Sequence, residues 1–190
     1  MLPDVADEWF EYDGELGETE RRFVEALRIR AAHWRASPLD SRVDPPDAEL
    51  PLIASPDLSD PVAHCVLMTL GVHLDGRTLR GDEVHNQLFT LPDEPTKLAF
   101  AATGGPEELA TRAANWFEAV LRRPVVRCEW TLTRQIHLFA DTGEIVGGGD
   151  GRRFCSPGQL DRVAATGRLD GGRWVDAGGF RQPDLVVRVR

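Results

Sequence analysis

The clearest periodicity in the chain lies between Gly104 and Pro124. Leu109, Ala113, Trp116, Phe117, Val120 and Leu121 recur at helical spacing and fall on one face. The run Gly104-Gly105-Pro106-Glu107-Glu108 reads as the start of that helix. Glycine is an acceptable N-cap, proline suits the first helical position, and two glutamates sit at the positive end of the dipole. Arg122 and Arg123 fall at the negative end, and Pro124 stops the helix. A second stripe, Phe23, Leu27, Ala31 and Trp34, predicts a helix over 19–35 that ends before Pro38.

Elsewhere the period shortens to two. Val126, Cys128, Trp130 and Leu132 alternate with Arg127 and Glu129, which predicts a strand over 125–132. Residues 135–140 read as another strand, followed by the turn Asp141-Thr142-Gly143. Residues 62–74 are mostly apolar, with Gly71 at a bend; Asp75-Gly76 is a turn signal, and 83–91 is the returning strand. Residues 97–102 form a short strand before the helix, and 185–190 alternates as an edge strand does. Six of the thirteen prolines lie in 36–61, and each removes a backbone donor, which predicts an extended surface connector. The sum is an α+β fold: a mostly antiparallel sheet packed by one central amphipathic helix, with an additional N-terminal helix and a Pro-rich connector. Its expected organisation is an acidic N-terminal segment, helix and connector over 1–61, and an α+β domain over 62–190.

A chain of 190 residues buries about 70% of its unfolded surface, so it needs neither a metal nor a disulfide for stability. No apolar run approaches the roughly 18 residues of a membrane span. The start, MLPDVADEWF, is acidic and lacks the basic and apolar regions of a signal peptide. A cytoplasmic protein with no membrane partner is expected. Cys65, Cys128 and Cys155 form no CxxC pair, which argues against a zinc ribbon or a thioredoxin-type redox site. Cys155, beside Arg152 and Arg153, is the candidate reactive thiol.

Charge changes the picture more than composition does. Residues 1–60 carry 15 acids and 6 bases, whereas 61–190 carry 16 of each. The surplus negative charge therefore sits at the N-terminal end, which disfavours nucleic acid there. Of 22 basic residues, 21 are Arg and only Lys97 is Lys, as a GC-rich genome produces.

The run ATGGPEELATRAANWFEAVLRRPVVRCEW (102–130), followed by FADTGE (139–144), resembles a segment shared by uncharacterised proteins of high-GC actinobacteria. The resemblance covers about a quarter of the chain. It implies a bacterial setting and a strand–helix–strand–strand core packed by Trp116, Phe117 and Trp130, and it carries no activity, cofactor or site.

Two arrangements are candidates for function. Trp9, Phe10 and Tyr12 lie among acids, so they can anchor a contact while the charges steer toward a basic protein surface. On this reading, removing 1–17 weakens partner binding and leaves the fold intact. The alternative is that Trp9 and Phe10 dock onto the protein's own sheet. The second arrangement is a hairpin centred near Leu79, in which His73 faces His85 and Asp75 faces Glu83. Two imidazoles and two carboxylates on one face could hold zinc or manganese. A one-residue slip dissolves that site, and Arg77 or Arg80 can neutralise the carboxylates without a metal. The glycine run 147–151 lacks the Lys-Ser/Thr of a phosphate-binding loop, and Ser156 lacks the GxSxG context of a nucleophile. The expectation is a small, acidic, cytoplasmic bacterial protein that binds another protein without catalysis or cofactor, in an accessory, adaptor or toxin-neutralising role. The alternative is an enzyme or ligand-binding protein with a divalent metal on the hairpin.

Overall fold

The computed structural model describes residues 9–34, 41–47, 50–85, 87–130, 134–146 and 183–190. Among the described residues the two amphipathic stripes form two helices, α1 (Glu18–Ala31) and α2 (Pro106–Leu121), with α1 ending before Trp34, the last residue of its expected stripe. Each helix takes glycine as its N-cap in extended backbone, Gly17 and Gly105, and each carries acids in its first turn. Phe23, Val24, Leu27 and Ala31 of α1 are buried, as are Leu109, Ala113, Phe117, Val120 and Leu121 of α2. The two helices pack on each other.

Among the described residues eight strands make two antiparallel sheets, so the fold is α+β. β1 (Ser41–Asp44), β2 (Leu52–Asp60), β3 (Cys65–Asp75), β4 (Thr78–Val84) and β5 (Phe100–Thr103) lie in that order in a five-stranded sheet. β6 (Val125–Trp130), β7 (Arg134–Phe139) and β8 (Leu185–Arg188) form a three-stranded sheet with β6 in the middle. The chain divides into two compact units. One comprises Met1–Leu58 and Met68–Arg122, the other Ser59–Leu67 and Arg123–Arg190.

The stretch expected to be a Pro-rich connector holds all of β1 and β2. Leu52, Ile53, Ala54 and Leu58 are all 2% exposed or less, so they belong to the core. The prolines punctuate these strands instead of excluding them. Pro45, Pro46 and Pro51 fall between β1 and β2, and Pro61 lies in the turn after β2. Only Pro56 is inside a strand, opposite the first residue of β1.

Both faces of the five-stranded sheet are covered, and they differ in chemistry. Side chains two apart on a strand share a face. Val72 pairs with Gly81 and Gly81 with Phe100, whose ring stacks on Trp116 of α2 at 5.6 Å. That face therefore looks toward α2, and it presents Leu70, Val72, Leu74 and Leu79, all 2% exposed or less. On the opposite face the Thr69 hydroxyl donates to Asp57 Oδ1 at 2.6 Å, which aligns Ser55 and Asp57 with Thr69, Gly71 and His73. Strand pairing adds Arg42 opposite Ser55, Arg80 opposite His73 and Asp82 opposite Gly71. This second face is polar, with Ser55, Thr69, His73 and Asp82 buried and Arg42 and Arg80 exposed, and the segment 85–99 crosses it.

In the second unit, Val126, Cys128, Leu138 and Val186 share one face of the three-stranded sheet and are 1% exposed or less. Arg127, Glu129 and His137 share the other. No helix among the described residues is long and apolar enough to cross a membrane.

Candidate functional site

A concave feature of the first unit follows the edge strand β1. Its construction begins with Phe10, which is fully buried, its ring centroid 5.7 Å from Phe117 and 6.0 Å from Trp34. Trp9 packs edge-on against Trp34 at 4.8 Å. The Phe10 amide donates to Ser41 Oγ at 2.8 Å, and the Val43 amide donates to the Glu11 carbonyl at 3.1 Å. Among the described residues this segment pairs through one parallel bridge, Glu11 to Arg42. The N-terminal segment runs on beside β1 as far as Gly14, which lies against Pro45, and a groove of about 550 Å³ is lined by Glu11, Tyr12, Asp13, Arg28 of α1 and Ser41–Pro45.

The groove is rich in acceptors. The Glu11 and Asp13 side chains are exposed and carry no ion pair among the described residues. Asp44 is ion-paired with Arg42 through Oδ1, while its Oδ2 is buried without a hydrogen-bond partner. Arg42 also stacks its guanidinium on the Phe89 ring, 4.5 Å from the centroid. Two aromatic residues beside the groove hold left-handed backbone, Phe10 at φ 58° and Phe89 at φ 52°. Side chains with a Cβ resist that region, so packing must enforce it. Phe10 is enforced by its core contacts. For Phe89, the neutral His73 ring donates its Nε2–H to the Phe89 carbonyl at 2.8 Å. His73 stays neutral because burial lowers its pKa; the carbonyl opposes that shift and the Arg80 charge reinforces it.

The second unit contains a buried charge cluster. Asp60 is fully buried; its Oδ1 accepts the amides of Val62 and Ala63 at 2.8 and 2.9 Å. Its Oδ2 accepts Arg127 Nη1 at 2.7 Å and His137 Nε2 at 2.9 Å. Burial pushes this carboxyl up, but the Ala63 amide, His137, Arg127 and the Val62 amide together hold it far below the usual carboxylate range. Arg127 also bonds Glu129 at 2.6 Å, and burial, which would lower its pKa, is outweighed by the two carboxylates. The cluster ties the 60–63 turn to β6 and β7 of the same unit. It fastens structure and presents no nucleophile among the described residues.

The residues singled out from the sequence are placed as follows. Trp9 and Phe10 are core side chains; their rings meet Trp34 and Phe117 of α2, whereas the docking reading places them on the sheet. Removing 1–17 therefore removes part of the core, contrary to the expectation of an intact fold. Tyr12 alone of the three lines the groove. The His/carboxylate hairpin has a different register. The chain reverses at once through Gly76 (φ 56°) and Arg77, so Asp75 pairs with Thr78 and His73 with Arg80. Glu83 then lies opposite Leu70, on the other face from His73, and His85 falls beyond the strand. Its Nδ1 accepts the amides of Gln87 and Leu88 at 3.3 Å. His73, Asp75, Glu83 and His85 do not converge, and no group of three potential ligands for a metal occurs among the described residues. Cys128 is buried and Cys65 half-buried, while Cys155, Ser156 and the glycine run 147–151 lie outside the described residues.

Arg28, Arg42 and Asp44 were not anticipated as groove residues, nor Asp60 and His137 as partners. The Asp60–His137 pair spans 77 residues and has no local signature. For the groove the one available signal was Pro45-Pro46, which ends β1 and leaves its edge unextended. Comparison of the chain with protein-family models, curated proteins and solved structures finds no match.

Proposed function

We propose that the chain works by non-catalytic binding of another protein through the groove along β1, in an accessory, adaptor or toxin-neutralising role. The observation that carries this reading is Tyr12 held between two carboxylates, Glu11 and Asp13, that have no ion pair among the described residues, in a preformed groove. A tyrosine supplies a large, stiff contact surface with a polar tip, and flanking acids steer a basic partner surface toward it. Phe10 anchors the segment in the core, so little ordering entropy is lost on contact. Pro45 has no amide hydrogen to offer a further strand, so side chains carry the recognition.

The test is affinity capture with the whole chain and with a Tyr12→Ala/Asp13→Arg variant, because deletion of 1–17 disrupts the core. A stoichiometric partner, identified by mass spectrometry, is expected to bind the variant at least about tenfold more weakly. Rising salt should reduce its association rate with the native chain. Equal retention by the variant, with an unchanged circular dichroism spectrum, overturns the reading.

A further inference from the structure

We propose that residues 85–99 form a releasable strap over the polar face of the five-stranded sheet, and that Arg42, in the groove wall, holds the strap shut. None of the described residues of 85–99 is buried, and Leu88 is 63% exposed. The sheet residues on the face it crosses are buried: Ser55, Thr69, His73 and Asp82 are 7% exposed or less. The strap is thus held by polar bonds and ring contacts, with no apolar anchor of its own. The Phe89 carbonyl accepts from His73, Thr96 donates through its amide and hydroxyl to Asp82, and the Leu98 carbonyl accepts from Trp116 Nε1 at 2.9 Å. Segments fastened in this way occupy the low end of the local-stability range.

Phe89 is the pivot. Its left-handed backbone is unfavourable for a phenylalanine, and its ring is held by the Arg42 guanidinium. Arg42 belongs to β1 and lines the groove, so whatever draws it toward the groove weakens the hold on Phe89. Release uncovers a row of hydrogen-bonding groups that includes the Ser55 hydroxyl, which is buried without a partner. The link to a bound protein rests on the groove being the contact site. The strap itself is tested on the free chain, so the two readings fail separately.

The experiment is amide hydrogen exchange followed by NMR, with Phe89 and Thr96 compared against Val72 and Leu74 of β3. In the native chain the strap amides are expected to exchange at least about tenfold faster than those of β3. Arg42→Ala should speed Phe89 and Thr96 by about three- to thirtyfold, the worth of a lost cation–π contact, and leave β3 unchanged. Phe89→Leu removes the same contact from the strap side and should act alike, which covers a poorly folding Arg42 variant. Exchange of strap and β3 amides in step, or no acceleration in either variant, overturns the proposal.

Discussion

Asp60→Asn isolates the buried charge cluster with almost no change in shape. Asparagine keeps one oxygen for the Val62 and Ala63 amides but places an amino group where Oδ2 stood. That position faces two donors, Arg127 Nη1 at 2.7 Å and His137 Nε2 at 2.9 Å. Breaking a buried ion pair by neutralising one partner costs about 3–5 kcal/mol. Arg127 retains Glu129, which is partly exposed, so the guanidinium is not left uncompensated. The expected loss is therefore at the lower end, about 3 kcal/mol at pH 7. Urea unfolding monitored by circular dichroism measures it, with the transition read for each unit if the two separate. The pH dependence supplies an independent check. Asp60 is depressed in the folded state, so its contribution is fully present above the ordinary aspartate pKa of about 3.9 and is lost as pH falls toward the folded value. The gap between native chain and variant should thus close on acidification below about pH 4. A loss under about 1 kcal/mol at pH 7, or a gap that is constant from pH 7 to pH 2.5, would refute the reasoning.

Phe10→Ala should cost about 3–5 kcal/mol, measured by thermal or urea unfolding, because the ring is fully buried among Trp9, Trp34 and Phe117. A loss near zero would return Phe10 to the surface role that its acidic surroundings suggest. Glu83→Gln should act in the opposite sense. Burial raises this carboxyl and the neighbouring Asp82 raises it further, so ionisation costs stability as pH rises above about 4.5. The variant should be more stable than the native chain at pH 7 and equal to it near pH 3. Melting temperatures that differ by the same amount at both pH values would contradict this account.

Both helices were legible because each element carried its own evidence. For α2, the stripe, Pro106, the paired glutamates and Pro124 all agreed, and the helix runs from Pro106 to Leu121. β6 and β7 were legible for the same reason, since Arg127 and Glu129 mark one face and Val126 and Cys128 the other. β3 defeats that logic. It is buried on both faces, so its apolar run carries no alternation to set the register against β4. The turn did carry the information. Asp75-Gly76 closes a hairpin immediately, whereas the register that assembled a metal site needed a seven-residue loop. Chemistry that looked plausible outweighed a stronger local signal.

The same distinction governs the candidate sites. Trp9, Phe10 and Tyr12 are indistinguishable by composition, because an aromatic among acids can anchor a partner or its own core. What separates them is the left-handed turn at Phe10, which sends that ring toward Phe117 and delivers Glu11 to Arg42. A backbone angle unfavourable for phenylalanine is invisible in sequence, since only glycine advertises it. Phe89 repeats the pattern in the 85–99 segment, where its ring meets the same Arg42. Phe89 meets Arg42 directly, and Phe10 delivers Glu11 to its backbone, on an edge strand whose own continuation is blocked by Pro45. Beside it Asp44 Oδ2 on β1 and Ser55 Oγ on β2 are buried without a partner among the described residues, and Arg42 is the residue whose loss should separate binding, strap and fold from one another.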